Sequence, residues 1–132
     1  MTYPATLIHT SIGRPAPEVN AYVADPRNLP QWASGLAESA LRLDGEVWIA
    51  ASPMGAVKIK FSPPNIYGVV DHEVTTSEGT TFANPLRVQP NGEGAEVIFT
   101  LYRLPEVTDE DFANDADTIR RDLAKLKEIL EK

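Results

Sequence analysis

A chain of 132 residues with 42% hydrophobic and 23% charged side chains can bury one core and is too apolar to be disordered. The absence of cysteine excludes disulfide scaffolds, zinc ribbons, iron–sulfur sites and thiol nucleophiles. A formal charge of -7, from 12 basic and 19 acidic residues, disfavours nucleic acid and anionic membranes, which call for clustered basic surface.

The first residues lack the basic and long apolar regions of a signal peptide, and no stretch approaches the ~18 apolar residues of a membrane helix. The sequence therefore predicts a cytoplasmic protein with no membrane insertion, folded as one domain over 1–132. Alternation predicts a strand over 5–12, with Ile8, Thr10 and Ile12 on one face. Pro15 and Pro17 suit a helix start and predict a short helix over 16–24. Asp25-Pro26 is an N-cap and first-turn pair that predicts a second over 26–34, shortened or kinked by Pro30.

From about 38 to 104 the pattern is that of strands. Asp44-Gly45, Ser77-Glu78-Gly79 and Asn91-Gly92 are tight-turn signals between β-prone runs. Val57, Ile59 and Phe61 alternate with Lys58 and Lys60, as in a strand with one wet face. Hairpin loops this short join antiparallel neighbours, so six or seven strands in a meander are expected.

Beyond Pro105 there is neither proline nor glycine, and the spacing predicts one long helix over 108–131. Phe112, Ala116, Ile119, Leu123, Leu126 and Leu130 form a one-sided stripe that must be buried against the sheet. Thr108 is the expected N-cap, with Val107 and Phe112 at staple positions. Nine acids and five bases lie between Glu106 and Lys132; six acids precede Thr118 and all five bases follow it. Much of the chain's acidity is thus the solvated face of one helix, arranged to complement its dipole.

The order strand, two short helices, strand meander and long terminal helix is that of an α+β helix-grip fold. With the stretches RPAPEVNAYVADPRNLPQWASG, YGVVDHEV and DEDFANDADTIRRDLAKLKEIL, the chain resembles the START/polyketide-cyclase-like (SRPBCC) superfamily, in its polyketide cyclase/dehydrase-like branch. The resemblance implies a curved antiparallel sheet gripping the terminal helix around a hydrophobic cavity. It also implies one of several activities: carriage of an apolar molecule, cyclisation or dehydration of a bound polyketide, or co-chaperone work.

Few residues can carry chemistry. Alternation in NIYGVVDHEVTT puts Ile66, Gly68, Val70, His72 and Val74 on one face and the charged Asp71 and Glu73 on the other, so His72 points to the apolar side. An imidazole there is a candidate acid or base; the alternative is a buried histidine satisfied by backbone or water. His9 faces outward, and no ligand spacing suggests a metal or other cofactor. In the strand around 95–104 both phases are apolar. If Val97, Phe99 and Leu101 point inward, Phe99 lines the cavity, and Arg103 ends that face at its rim, able to fork onto a ligand oxyanion. Tyr102 could likewise stabilise an enolate there; the competing role for Arg103 is an ion pair with Asp71 or Glu73. Trp32, Tyr22 and Trp48 are aromatics placed to line a cavity mouth or to fill core.

Binding of a small hydrophobic molecule, by a monomer or homodimer, is the leading expectation. The alternatives are a cyclase, aromatase or dehydratase using His72, and a co-chaperone-like interaction module.

Overall fold

The structure, a computed structural model, describes residues 1–132. Strand β1 (Ala5–Ile12) leads through Pro15 into helix α1 (Ala16–Val23). The next helical stretch is broken: a 3-10 turn over Pro26–Asn28 passes into a single α-helical turn, α2 (Leu29–Trp32). Asp25 caps it by accepting from the Arg27 backbone N–H, and Pro30 within the stretch keeps it short.

Seven further strands follow: β2 (Arg42–Asp44), β3 (Val47–Ser52), β4 (Gly55–Phe61), β5 (His72–Thr76), β6 (Thr81–Asn84), β7 (Leu86–Asn91) and β8 (Gly94–Tyr102). They form two antiparallel sheets, of order β1-β8-β7 and β2-β3-β4-β5-β6. The stretch TFANPLRVQ, which reads as one strand, is divided at Pro85 into β6 and β7. Proline has no N–H for the ladder, and the strand changes partner there, from β5 to β8. The two sheets stay joined at this corner. The Pro85 carbonyl accepts from Thr100, and residues 68–70 pair with β7 through Val88 N–H to Gly68 and Val70 N–H to Leu86.

That last pairing needs a glycine. Gly68 has φ of +77°, and a Cβ on it would lie 1.8 Å from the Val88 carbonyl oxygen. The approach replaces the regular strand suggested by alternation from Ile66 onward. Ile66 and Tyr67 sit on an exposed loop, whose Asn65 side chain accepts from the Tyr67 and Val69 N–H groups.

Helix α3 (Asp109–Leu130) is capped by Thr108, which accepts from the Asp111 N–H. At ~1.5 Å per residue its length of about 33 Å crosses the sheet. It lies directly on β1, and its far end is tied to the β1–α1 turn. Arg14 donates to the Leu130 and Lys132 carbonyls, and Lys127 donates to the Ser11 carbonyl. Ile8 and Ile12 of β1, Val97 of β8, and Leu123 and Leu126 of α3 are buried together in the core. This α+β arrangement, a long terminal helix held by antiparallel sheet, is the helix-grip fold. None of its helices is long and apolar enough to cross a membrane.

Candidate functional site

Between α3 and the five-stranded sheet lies a cavity of about 520 Å³, 16 of whose 23 lining residues are hydrophobic. Four regions build it. The α2 region contributes Leu29, Trp32, Ala33 and Leu36. Strands β5 and β6, with the start of β7, contribute His72, Phe82, Ala83 and Leu86. The end of β8 contributes Phe99, Leu101 and Tyr102, and α3 contributes Asp115, Thr118, Ile119, Asp122 and Leu123. Exposed Tyr3, Met54 and Tyr102 stand where the cavity meets solvent.

His72 sits on β5 with only 6% of its surface exposed. Its Nδ1 is 3.1 Å from the Val70 carbonyl oxygen, and its ring packs on Phe61 at 5.1 Å between centroids. A carbonyl can only accept, so Nδ1 carries the proton and Nε2 is left as an acceptor with no protein partner. Burial holds the imidazole below its ordinary pKa, against weaker upward pulls from the Val70 carbonyl and the Asp71 charge. The ring is therefore neutral at physiological pH. Asp71, on the opposite face, is committed elsewhere: it accepts from Arg87 through both carboxylate oxygens and from the Leu86 N–H.

Two carboxyls reach the cavity from α3. Burial pushes the Asp122 pKa up to about 6, against the Gly35 N–H and the charge of Arg121. Asp115 is raised as well, by burial first and then by the charge of Asp111. Neither forms an ion pair, although seven other pairs occur in the molecule. Asp122 is held where the chain after α2 crosses α3. Gly35 permits that crossing, since a Cβ there would come within 2.4 Å of Thr118 Cγ2. Trp32 is 5% exposed, and its Nε1 is buried without a partner.

Of the residues singled out from sequence, His72, Trp32, Phe99 and Tyr102 line this cavity. Four others do not. Tyr22 packs on the core and donates to Gln31 Oε1 at 2.8 Å. Trp48, on the inner face of β3, packs against the core cluster, and Val70 is buried within it. Arg103 follows the last residue of β8, its N–H still paired to the Pro4 carbonyl, and its side chain is held outside the cavity. Its guanidinium donates to the Val107 carbonyl and pairs with Asp109, fastening the β8–α3 turn rather than pairing with Asp71 or Glu73.

Asp122 is not singled out by the sequence, and Asp115 reads there only as one of the solvated acids at the start of α3. Their signal was helical spacing. Asp115, Thr118, Ile119 and Asp122 recur at three- and four-residue intervals beside the apolar stripe, a face that solvated acids would not share with Leu123.

No protein-family model and no curated protein sequence matches the chain. Solved structures do match. A protein from Bacillus thuringiensis superposes with TM-score 0.79 at 15% identity, covering 98% of this chain and 100% of that one. The Aha1 dimer from Colwellia psychrerythraea gives 0.75 at 15% identity, covering 97% and 96%. DynU16, from the dynemicin biosynthetic locus, gives 0.74 at 16% identity over 97% of this chain and 47% of that one. The chain thus spans about half the length of DynU16. At these identities the likeness is one of fold alone, the helix-grip arrangement described above.

Proposed function

We propose that the protein binds a small hydrophobic molecule in the cavity between α3 and the sheet. The observation that carries this reading is the cavity itself. Closely packed interiors leave few voids larger than a water molecule, whereas this one is about 520 Å³ and mostly apolar-walled, a size and chemistry suited to a ligand. DynU16, of a biosynthetic locus, has the same fold, which fits a small-molecule role without specifying one. The binding unit is residues 1–132 as a cytoplasmic monomer or homodimer, the latter compatible with the dimeric Aha1 of like fold.

Native mass spectrometry of freshly purified protein, with fluorescence of the neutral apolar probe N-phenyl-1-naphthylamine, tests it. Either a co-purified apolar molecule or probe enhancement is expected, and Ile119→Trp, which fills the cavity from α3, abolishes the enhancement. No bound molecule and no enhancement would overturn the reading.

A second reading, proton transfer on a carbonyl-rich substrate, draws on the free Nε2 of a neutral His72. A neutral imidazole whose acceptor nitrogen has no protein partner can take a proton as a general base. Loss of turnover of a synthetic poly-β-ketothioester in His72→Gln, with probe binding retained, is its expected signature; equal turnover removes it. The co-chaperone-like reading has less support, because apart from Tyr3, Met54 and Tyr102 at the cavity mouth the large exposed apolar residues, such as Leu7, Leu43 and Ile66, are scattered over separate elements.

A further inference from the structure

The polar groups that face the cavity are unevenly signed. No lysine or arginine lines it, while two aspartates and a histidine do. Asp122 and Asp115 lie seven residues apart on α3, so about 10 Å apart along the helix axis, with Thr118 between them. Neither has a counter-ion in the protein. Arg121, the base beside Asp122 in sequence, is exposed and spends a donor on Thr118 Oγ1 at 3.2 Å.

The other elements around Asp122 bring no cation either. The segment after α2 offers the Gly35 N–H and apolar Leu36, and elsewhere in the lining Tyr3 and Tyr102 bring hydroxyl groups. From β5 comes His72, nine-tenths buried, with an acceptor nitrogen that no protein donor meets. The unpartnered Trp32 N–H is a neutral donor and does not alter the balance of charge.

A carboxylate in an apolar cavity without a counter-ion is unfavourable, and so is any ligand anion brought beside it. A cation brought by the ligand relieves the first and avoids the second. Aromatic side chains of the wall, Trp32, Phe82 and Phe99, are further surfaces that tolerate a positive charge.

We propose that the cavity selects an apolar molecule carrying one basic nitrogen, its ammonium paired with Asp122, and rejects fatty-acid-like carboxylates. This rests on the ligand-binding reading and narrows it to a chemical class. Asp115, exposed at the rim, adds attraction on the way in; His72 Nε2 accepts a second N–H or O–H of the ligand if it has one.

The test is a matched series (decylamine, decanol and decanoate) titrated calorimetrically into the protein at pH 7.5, below micelle-forming concentrations. Decylamine is expected to bind about tenfold more tightly than decanol, and decanoate about tenfold more weakly. Each factor corresponds to one ordinary charge-assisted hydrogen bond, formed with the amine and opposed with the acid. Asp122→Asn brings decylamine to within about threefold of decanol and leaves decanol unchanged. Lowering the pH to 5, a unit below the Asp122 value of about 6, weakens decylamine several-fold more in the native protein than in Asp122→Asn, where only His72 and Asp115 remain to respond.

Decanoate binding as tightly as decylamine, or a preference for the amine that survives Asp122→Asn, would overturn the selectivity while leaving the cavity as a binding site. Failure of N-phenyl-1-naphthylamine and all three decyl compounds to bind would instead overturn the binding reading, and the selectivity with it. Unchanged probe fluorescence in Asp122→Asn establishes that the variant is folded.

Discussion

The two parts of the sheet meet the same helix and treat it differently. Strands β1 and β8 lie against α3, and the Leu126 side chain between them is fully buried. The five-stranded part stands off α3, and the half-buried Ile119 and Asp122 look into open volume instead. One amphipathic stripe thus serves as core at one end and as cavity wall at the other. The two parts divide at Pro85, where the chain leaves its pairing with β5 for pairing with β8.

Truncation along this stripe should expose the contrast most strongly. Leu126→Ala is expected to destabilise by about 2–5 kcal/mol, because a well-packed site cannot collapse around the lost atoms. Ile119→Ala, whose side chain already borders a void, should lose only about 1 kcal/mol. Urea unfolding midpoints at constant slope measure both, and equal losses would mean that the two ends of α3 are packed alike.

The crossing at Gly35 is the next largest lever. Gly35→Ala places a methyl 2.4 Å from Thr118 Cγ2 and should destabilise by about 1–3 kcal/mol. Adding Thr118→Ser, which deletes that Cγ2 and keeps the hydroxyl, should recover most of the loss. No recovery would place the strain in the backbone rather than at this contact.

Asp122 supplies a smaller effect with a definite sign. Its folded pKa of about 6 lies above the ordinary 3.8, so the folded state holds the proton more tightly, and its penalty is fully present above about pH 6. Asp122→Asn should therefore stabilise the protein by about 1–2 kcal/mol at pH 7.5, a figure discounted for the residue's partial exposure. The gain should fade as the pH falls from 6 towards 4.

His72 has the opposite sign. Its folded pKa is depressed below 6.5, so its contribution is present above that pH and is lost on acidification. In thermal melts between pH 6.5 and 5, His72→Gln should flatten the acid-side decline, the mildest change of the series. An unchanged slope would mean that the imidazole is not desolvated by the cavity wall.

Much of this architecture is legible in the residues. Period-two alternation separates the lysines of β4 from Val57 and Ile59, and the stripe from Phe112 to Leu130 defines α3 and the face it buries. Thr108, Asp25 and the glycine turns are local chemistry, readable one residue at a time. The site is less so. Tyr22, Trp48 and Val70 have the same composition and spacing as lining residues, yet they pack into core, because what separates core from wall is the gap across from them. Arg103 follows the inward phase of β8 by count, but its side chain is captured by Val107 and Asp109.

Sequence by itself thus determined the order of the main elements, the buried faces of β1, β4 and α3, and the helix-grip class, since periodicity, capping and turn propensity act within a few residues. Tertiary structure alone decided that a cavity exists, that Asp122 and His72 share it, and that no lysine or arginine does. A void is set by the distance between elements far apart in the chain, here by one corner in the sheet and one glycine crossing. So are the desolvation and the missing counter-ions that set the electrostatics of its walls.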